Sequence, residues 1–296
     1  MWPRVLSGVL LIAASLLVIA QGLAGPSLPP ALTVSGFQTP ESILHDPDED
    51  LYLVSNINGN PTGTDDNGFI SRVAPDGRIV ALKWIDGASA SVTLNAPKGM
   101  AISGDTLYVS DITAIRLFDR RTGRPKGSVA IPGSTFMNDA ASGADGSVYF
   151  TDSGLKPDFS PSGTDAVYRL RRGALSTVAK GAHLKGPNGV AVLPNGRLVV
   201  VTFSQTGEMY ELTADGRQHQ VQRLPQGQLD GVVVLQGGRL LVSSWAGSSV
   251  YRITGSAVEV LVSNVQSPAD IGFDSRRDRV LIPLFQKNQA VIQPLR

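Results

Sequence analysis

Oxygen-bearing side chains recur at one position of a short repeated phrase. The phrase consists of a leading residue that is usually proline, a variable residue, a small residue and an apolar residue, and it occurs six times. The variable residues, at intervals of about 40 to 57 positions, are Glu41, Lys98, Asn138, Asn188, Asp230 and Ala269. Carboxylate and carboxamide oxygens are ligands that calcium prefers, and two carboxylates balance a divalent charge. The pattern therefore predicts one divalent metal ion, with calcium favoured over zinc or copper, held by Glu41, Asn138, Asn188 and Asp230.

Each of these residues taken alone has a simpler explanation. An isolated Asn-Gly pair is most often a turn, and we interpret Asn195-Gly196 as a hairpin. Glu41 could equally be a solvated loop residue. The shared register of oxygen-bearing side chains in four repeats is what favours a metal site over these explanations.

Lys98 occupies the same register position in the second repeat. Its ammonium group could form an ion pair with Glu41 or Asp230, or lie solvated at the rim. Alternatively it could bind an anionic substrate group or stabilise a developing oxyanion, which makes it a catalytic candidate. It could also occupy part of the metal's space. His183 precedes Asn188 by five positions and is a further candidate for substrate contact.

The elements that must position these residues are short strands. Each phrase is followed by a polar turn and a second apolar run, and turns such as Asp145-Gly146 have the residues that tight hairpins require. Third strands follow, and hairpins then lead to a fourth, outer strand. Units of about four strands, repeated six times, predict an all-β fold, a six-bladed β-propeller of four-stranded blades. The innermost strands would line a central channel, so equivalent residues of different blades would converge on one axis.

The two ends of the repeat region complement each other. After Pro268 the chain supplies three predicted strands, at residues 269–273, 279–284 and 289–294. Residues 31–35 are predicted to form the missing strand, so that an N-terminal strand completes the last blade and protects its edge. Residues 57–67 and 153–165 are long insertions of the kind that often cover a binding mouth.

Composition excludes several function classes. The chain of 296 residues has a formal net charge of +1 and no cysteine. Nucleic-acid binding is disfavoured because it needs a basic surface. Thiolate zinc sites and cysteine nucleophiles are excluded outright.

The first 24 residues have the layout of a secretory signal. Arg4 precedes an apolar stretch over residues 5–20, and small residues follow it. The alternative is an uncleaved anchor, since about 20 apolar residues can span a bilayer. In either case we expect residues 25–296 to form a propeller domain in the periplasm or the extracellular space, with membrane contact only if the segment is retained.

The motifs together resemble a known family. Four phrases carry the resemblance: Pro40-Glu41-Ser42, Met137-Asn138-Asp139, Pro187-Asn188-Gly189 and Leu229-Asp230-Gly231. In their order and approximate spacing they are similar to the SMP-30/gluconolactonase/LRE-like propellers, in the paraoxonase-like superfamily. The resemblance covers about residues 36–290. It implies that Glu41, Asn188 and Asp230 are metal ligands, with Asn138 a further ligand or a substrate contact. It also implies metal-dependent hydrolysis of lactones or related esters, in which the metal polarises the carbonyl and lowers the pKa of bound water. Asp230 would be the general base or carry the nucleophilic role.

The chain departs from the family pattern at two positions. Sugar-lactone members typically have an arginine where this chain has Phe136, which favours a less polar substrate contacting that side chain. Paraoxonase-like members have a histidine where this chain has Lys98, so a histidine mechanism does not transfer.

Two functions follow from these expectations. The first is an exported, calcium-dependent hydrolase that acts on a small-molecule lactone or ester. The second is a non-catalytic propeller that binds a ligand or protein at its mouth, with a purely structural metal, because a propeller fold alone does not establish chemistry.

Overall fold

The structure is a computed structural model that describes Met1 and residues 30–295. It consists of six antiparallel sheets of four strands each. The predicted all-β, six-bladed propeller is therefore confirmed. The predicted signal or anchor segment lies, from residue 2 onward, outside the described residues.

The described residues form 24 strands, numbered in chain order. The first nine are β1 (Leu32–Ser35), β2 (Pro40–Asp46), β3 (Leu51–Asn56), β4 (Phe69–Val73), β5 (Ile79–Asp86), β6 (Pro97–Ser103), β7 (Thr106–Asp111), β8 (Ala114–Asp119) and β9 (Pro125–Ala130). The next eight are β10 (Met137–Ser142), β11 (Val148–Asp152), β12 (Ala166–Arg171), β13 (Ala174–Lys180), β14 (Pro187–Val192), β15 (Leu198–Thr202), β16 (Glu208–Leu212) and β17 (Gln218–Arg223). The last seven are β18 (Leu229–Val234), β19 (Leu240–Ser244), β20 (Ser249–Thr254), β21 (Ala257–Ser263), β22 (Gly272–Asp274), β23 (Arg279–Leu284) and β24 (Gln289–Pro294).

Five blades are made of consecutive strands. Blade 1 is β2–β5, blade 2 is β6–β9, blade 3 is β10–β13, blade 4 is β14–β17 and blade 5 is β18–β21. Burial falls from the second strand outward: all five residues of β15 are buried, whereas most of β9 is exposed. The outer strands can therefore be polar, while the second strands read as continuous apolar runs.

The hydrophobic core lies between blades. Six clusters of buried side chains each combine residues of two neighbouring blades. One of them packs Leu281 and Ile292 of blade 6 against Ile43 and Val54 of blade 1. Each blade is thus stabilised by the burial of both its faces, and the six blades pack as a ring.

Blade 6 combines strands from both ends of the described chain, in the order β1, β24, β23, β22. Strand β1 pairs antiparallel with β24, with Leu32 opposite Ile292 and Ser35 opposite Gln289. The inner strand β22 is shorter than the predicted strand at 269–273. The reason is that the Asp270 backbone pairs with blade 1, where its N–H donates to the Glu41 carbonyl over 2.9 Å and its carbonyl accepts from the Ile43 N–H.

Helical structure is minor in the described part of the chain. It comprises three 3₁₀ turns of three residues each, at Ala182–Leu184, Gln236–Gly238 and Phe285–Lys287. None of the helices in residues 30–295 has the length and hydropathy needed to cross a membrane.

Candidate functional site

A β-bulge interrupts the inner strand at the variable residue of the repeated phrase. The pairing register shifts there in blades 1 to 5, between Pro40 and Ser42 in blade 1 and between Pro187 and Val190 in blade 4, for example. A bulge adds an unpaired residue and re-aims its side chain. In all five blades the bulged variable residue lines the same cavity, of about 240 Å³.

The small residue of the phrase allows neighbouring inner strands to approach closely. A Cβ atom added to Gly189 would lie 2.2 Å from the Asp230 carbonyl oxygen, and one added to Gly231 would lie 2.3 Å from the Ile271 nitrogen. No larger side chain fits at these two positions without moving backbone. The glycines therefore bring together the strands that carry Asn188 and Asp230.

Four oxygens of the predicted ligands have no hydrogen-bond partner. Glu41, Asn138, Asn188 and Asp230 all line the cavity and are at most 5% exposed. The buried, unpaired atoms are Glu41 Oε2, Asn138 Oδ1, Asn188 Oδ1 and Asp230 Oδ1. Buried polar atoms are normally paired, so four unpaired oxygens lining one cavity indicate a place suited to a cation. Two carboxylates and two carboxamides match the hard-oxygen preference of calcium.

The two carboxylates are costly to ionise where they lie. Burial raises the pKa of Glu41 well above its usual value, and the negative charges of Asp230 and Asp270 raise it further. Burial also raises the pKa of Asp230, again assisted by Asp270, while the nearby Trp245 indole N–H acts in the opposite direction. A divalent cation would reverse these shifts by favouring the charged forms.

The amide ligands are essential to this interpretation. Among residues 30–295, no group of three or more His, Cys, Asp or Glu side chains is arranged to hold a metal ion. The four cavity residues include only two such side chains, Glu41 and Asp230. Asn138 and Asn188 are the further side-chain oxygens available to a metal bound beside these two carboxylates.

Lys98 is neither paired with a carboxylate nor solvated. It is 1% exposed, and its Nζ donates to the carbonyls of Pro61 and Ala96, each over 3.0 Å. Within the described chain no carboxylate oxygen lies at ion-pair distance from it, so the ion pair and the solvated rim lysine are both wrong. The ammonium lies 4.5 Å from the centre of the Phe136 ring. Burial lowers the pKa of Lys98 to about 8, although Glu41 and Asp111 act against that shift.

Of the two remaining residues predicted to contact substrate, Phe136 reaches the cavity and His183 does not. Phe136 lines the cavity, and its backbone N–H donates to Asp152 over 3.0 Å. His183 is exposed in the 3₁₀ turn Ala182–Leu184 and is not among the cavity residues. The structure therefore brings together every predicted site residue except His183.

Sequence reasoning missed two groups of residues at this site. Ser153 accepts a hydrogen bond from Asn138 Nδ2 over 3.0 Å and donates to the Pro187 carbonyl over 2.8 Å, so it fixes which end of the Asn138 amide faces the cavity. The second group is an aromatic wall of Phe203, Trp245 and Phe285. These three residues directly follow the second strands of blades 4, 5 and 6, so the same repeat register could have located them.

The comparisons with known proteins agree with the propeller fold. A sequence model described as the SMP-30/Gluconolactonase/LRE-like region matches residues 69–273, a range that begins after Glu41. Among solved structures, a gluconolactonase from Xanthomonas campestris is similar, with a TM-score of 0.70, 22% identity and 89% of each chain covered.

Two lyases share the fold at lower identity. Virginiamycin B lyase from Staphylococcus aureus has a TM-score of 0.61 and 14% identity, over 90% of this chain and 99% of that one. A streptogramin B lyase has a TM-score of 0.61 and 13% identity, over 89% and 97%. A search of curated proteins found no match. Because the family model matches residues 69–273, more than half of the chain, the protein belongs to the SMP-30/gluconolactonase/LRE-like family.

Proposed function

We propose that the protein is a hydrolase of lactones or related esters that uses one divalent metal ion, calcium in preference. Glu41, Asn138, Asn188 and Asp230 would hold the ion. The observation that carries the proposal is the set of four buried, unpartnered oxygens that line one cavity. Membership in a family with gluconolactonase relatives supports lactone chemistry.

The reaction is the addition of water across the acyl–oxygen bond. When bound, a divalent ion supplies Lewis-acid polarisation of the substrate carbonyl. The Asp230 carboxylate accepts a proton from the attacking water as a general base. The proton then passes to the leaving alkoxide oxygen, which gives a hydroxy acid from a lactone.

Lys98 is proposed to stabilise the developing oxyanion. An ammonium group has three N–H donors, and two are used by the Pro61 and Ala96 carbonyls. The third is free to donate to a substrate oxygen in the cavity that Lys98 lines. The negative charges of Glu41 and Asp111 favour its protonated form.

The alternative of a purely structural ion is less well supported. A structural ion requires only a closed shell of ligands. Here a cavity of about 240 Å³ adjoins the four oxygens and leaves room for a ligand beside them. That space favours catalysis over a purely structural role.

The proposal is tested by metal binding and turnover in parallel. We expect calorimetry to give one calcium per chain, and a lactone and ester panel to be hydrolysed until EDTA is added and again after calcium is restored. Glu41→Gln and Asp230→Asn should each lower kcat/KM by at least about 100-fold. Asp158→Asn is the matched control, because Asp158 is an exposed carboxylate outside the cavity.

The two measurements separate the possible failures. Absence of calcium binding by the wild-type protein would overturn the metal site. Calcium binding without turnover of any lactone or ester would instead favour the binding module with a structural ion.

A further inference from the structure

We propose that the substrate carries a bulky apolar or aromatic substituent, and that the residues following the second strands of blades 4, 5 and 6 select it. The proposal rests on the hydrolase function and names its substrate class. The expected substrates are aryl- or alkyl-substituted lactones or esters, and polyhydroxylated lactones are expected to be poor ones.

A recurring backbone hydrogen bond holds the selecting residues at one level of the cavity. The N–H of Phe203 donates to the Gly186 carbonyl over 3.2 Å, and the N–H of Trp245 donates to the Gln228 carbonyl over 3.0 Å. In each blade the acceptor lies two residues before the variable residue of the inner strand. The same bond joins Phe285 to Ser267 over 3.1 Å. A second ring of equivalent positions therefore lies beside the ring that carries the metal ligands.

In blades 4, 5 and 6 this second ring is a continuous aromatic wall. The ring centres of Phe203 and Trp245 are 5.3 Å apart, and those of Trp245 and Phe285 are 5.1 Å apart. All three side chains are partly exposed and line the cavity. In blade 3, Phe136 and Phe159 form a further aromatic pair with centres 6.3 Å apart. Aromatic surfaces of this kind contribute most to binding when they bury apolar surface of a ligand.

The cavity walls offer few partners to a hydroxylated ring. Apart from the four proposed ligands, the polar side chains that line it are Lys98 and Ser153. Ser153 is occupied by Asn138 and the Pro187 carbonyl, and two donors of Lys98 are occupied by carbonyls. The Trp245 indole N–H is the one further wall donor, and it faces the Asp230 carboxylate. Several substrate hydroxyls would therefore lose their hydrogen bonds to water without gaining hydrogen bonds to the protein, which disfavours the binding of a polyhydroxylated substrate.

The kinetic test compares three lactones with the calcium-loaded protein. We expect kcat/KM for a phenyl-substituted γ-butyrolactone to exceed that for glucono-δ-lactone by at least about tenfold. Phe203→Ala and Phe285→Ala should each lower the ratio of kcat/KM for the phenyl substrate to kcat/KM for unsubstituted γ-butyrolactone about 10- to 100-fold. The matched control is Ile112→Ala, which changes the equivalent position of blade 2 outside the cavity lining.

A binding measurement separates this proposal from the hydrolase function. A phenyl-substituted γ-lactam, which resists hydrolysis, should change the tryptophan fluorescence of the wild-type protein but not of Trp245→Phe. Lactam binding without turnover of any lactone would overturn the hydrolase function and uphold the apolar selectivity. Glucono-δ-lactone hydrolysed as well as the phenyl substrate would overturn the selectivity alone. No fluorescence change and no turnover would overturn both.

Discussion

Ser153 controls the site through the orientation of another side chain. An asparagine amide presents either an oxygen or an NH₂ group to its surroundings, and only the oxygen can bind a cation. The Ser153 hydroxyl accepts from Asn138 Nδ2, so the opposite end of the amide, Oδ1, is the one left unpaired in the cavity. Ser153 is thus a positioning residue that need not touch the metal.

Removing this hydroxyl should weaken the metal site without abolishing it. We expect Ser153→Ala to lower calcium affinity about tenfold, because the amide is then free to rotate. Activity at saturating calcium should largely recover, and Ser153→Thr, which keeps a hydroxyl, should restore the affinity. Calorimetry measures the effect, with the exposed Ser176→Ala as control. Equal calcium affinity in Ser153→Ala and the wild type would refute the positioning role.

The proposed metal ligands could be selected from the sequence because all lie at one position of the repeat. Glu41 and Asn188 could be aligned without knowing any contact, since only register was needed. The role of Ser153 could not be predicted, because it depends on how a hydroxyl bridges Asn138 and the Pro187 carbonyl of the next blade. For the same reason, the hydrogen bonds from Lys98 to two backbone carbonyls could not be predicted.

At the scale of elements, we propose that strand β1 closes the ring. Val34 is 6% exposed and belongs to the hydrophobic cluster between blades 6 and 1. Its neighbour Thr33 is exposed on the same strand. The two residues therefore provide a matched pair for testing how much the propeller depends on β1.

Charging the buried face of β1 should destabilise the whole domain. We expect Val34→Asp to lower the free energy of unfolding by at least about 3 kcal/mol, because it buries an unpaired carboxylate. Thr33→Asp should change it by less than about 0.5 kcal/mol, as is usual for surface positions. Urea unfolding of both variants measures the difference. Comparable small effects would mean that β1 is dispensable.

The inner strand of blade 6 shows where sequence pattern was insufficient. The sequence predicts a strand at residues 269–273, but β22 includes only the last two of them, and the Ala269 N–H donates separately to the Pro283 carbonyl over 3.0 Å. The backbone of Asp270 pairs with Glu41 and Ile43 of blade 1 instead. Competition between two neighbouring strands for one backbone is a tertiary effect that the local pattern does not contain.

At the scale of the whole molecule, ion pairs join blade 1 to both of its neighbours. Arg120, which follows the last residue of β8 in blade 2, pairs with Asp46 and Asp48 of blade 1. Arg277 of blade 6 pairs with Asp50 over 2.6 Å. Burial alone would raise the pKa of Asp46, but the hydrogen bonds and charge of Arg120 outweigh it and lower that pKa.

The lowered pKa of Asp46 gives a defined pH dependence of stability. Its contribution is fully present above the unfolded-state pKa of about 4 and is lost as pH falls through the lower folded-state pKa. We expect Asp46→Asn to reduce the free energy of unfolding by about 3 kcal/mol at pH 7, since it leaves Arg120 without its buried partner. The difference in free energy of unfolding between Asp46→Asn and the wild type should shrink below about pH 4, and thermal unfolding across a range of pH measures it. A gap that stays constant with pH would rule out the ionised pair as its cause.

The bulges at the variable residues have a consequence for how this fold can change. Each bulge places one side chain on the axis without involving it in the clusters between blades, which carry the stability. Chemistry and folding are therefore encoded by separate sets of positions. Ala269, the fully buried variable residue of blade 6, supplies no polar group. One substitution at the variable residue of a blade can therefore change the chemistry of the candidate site, while the residues that pack between blades stay the same.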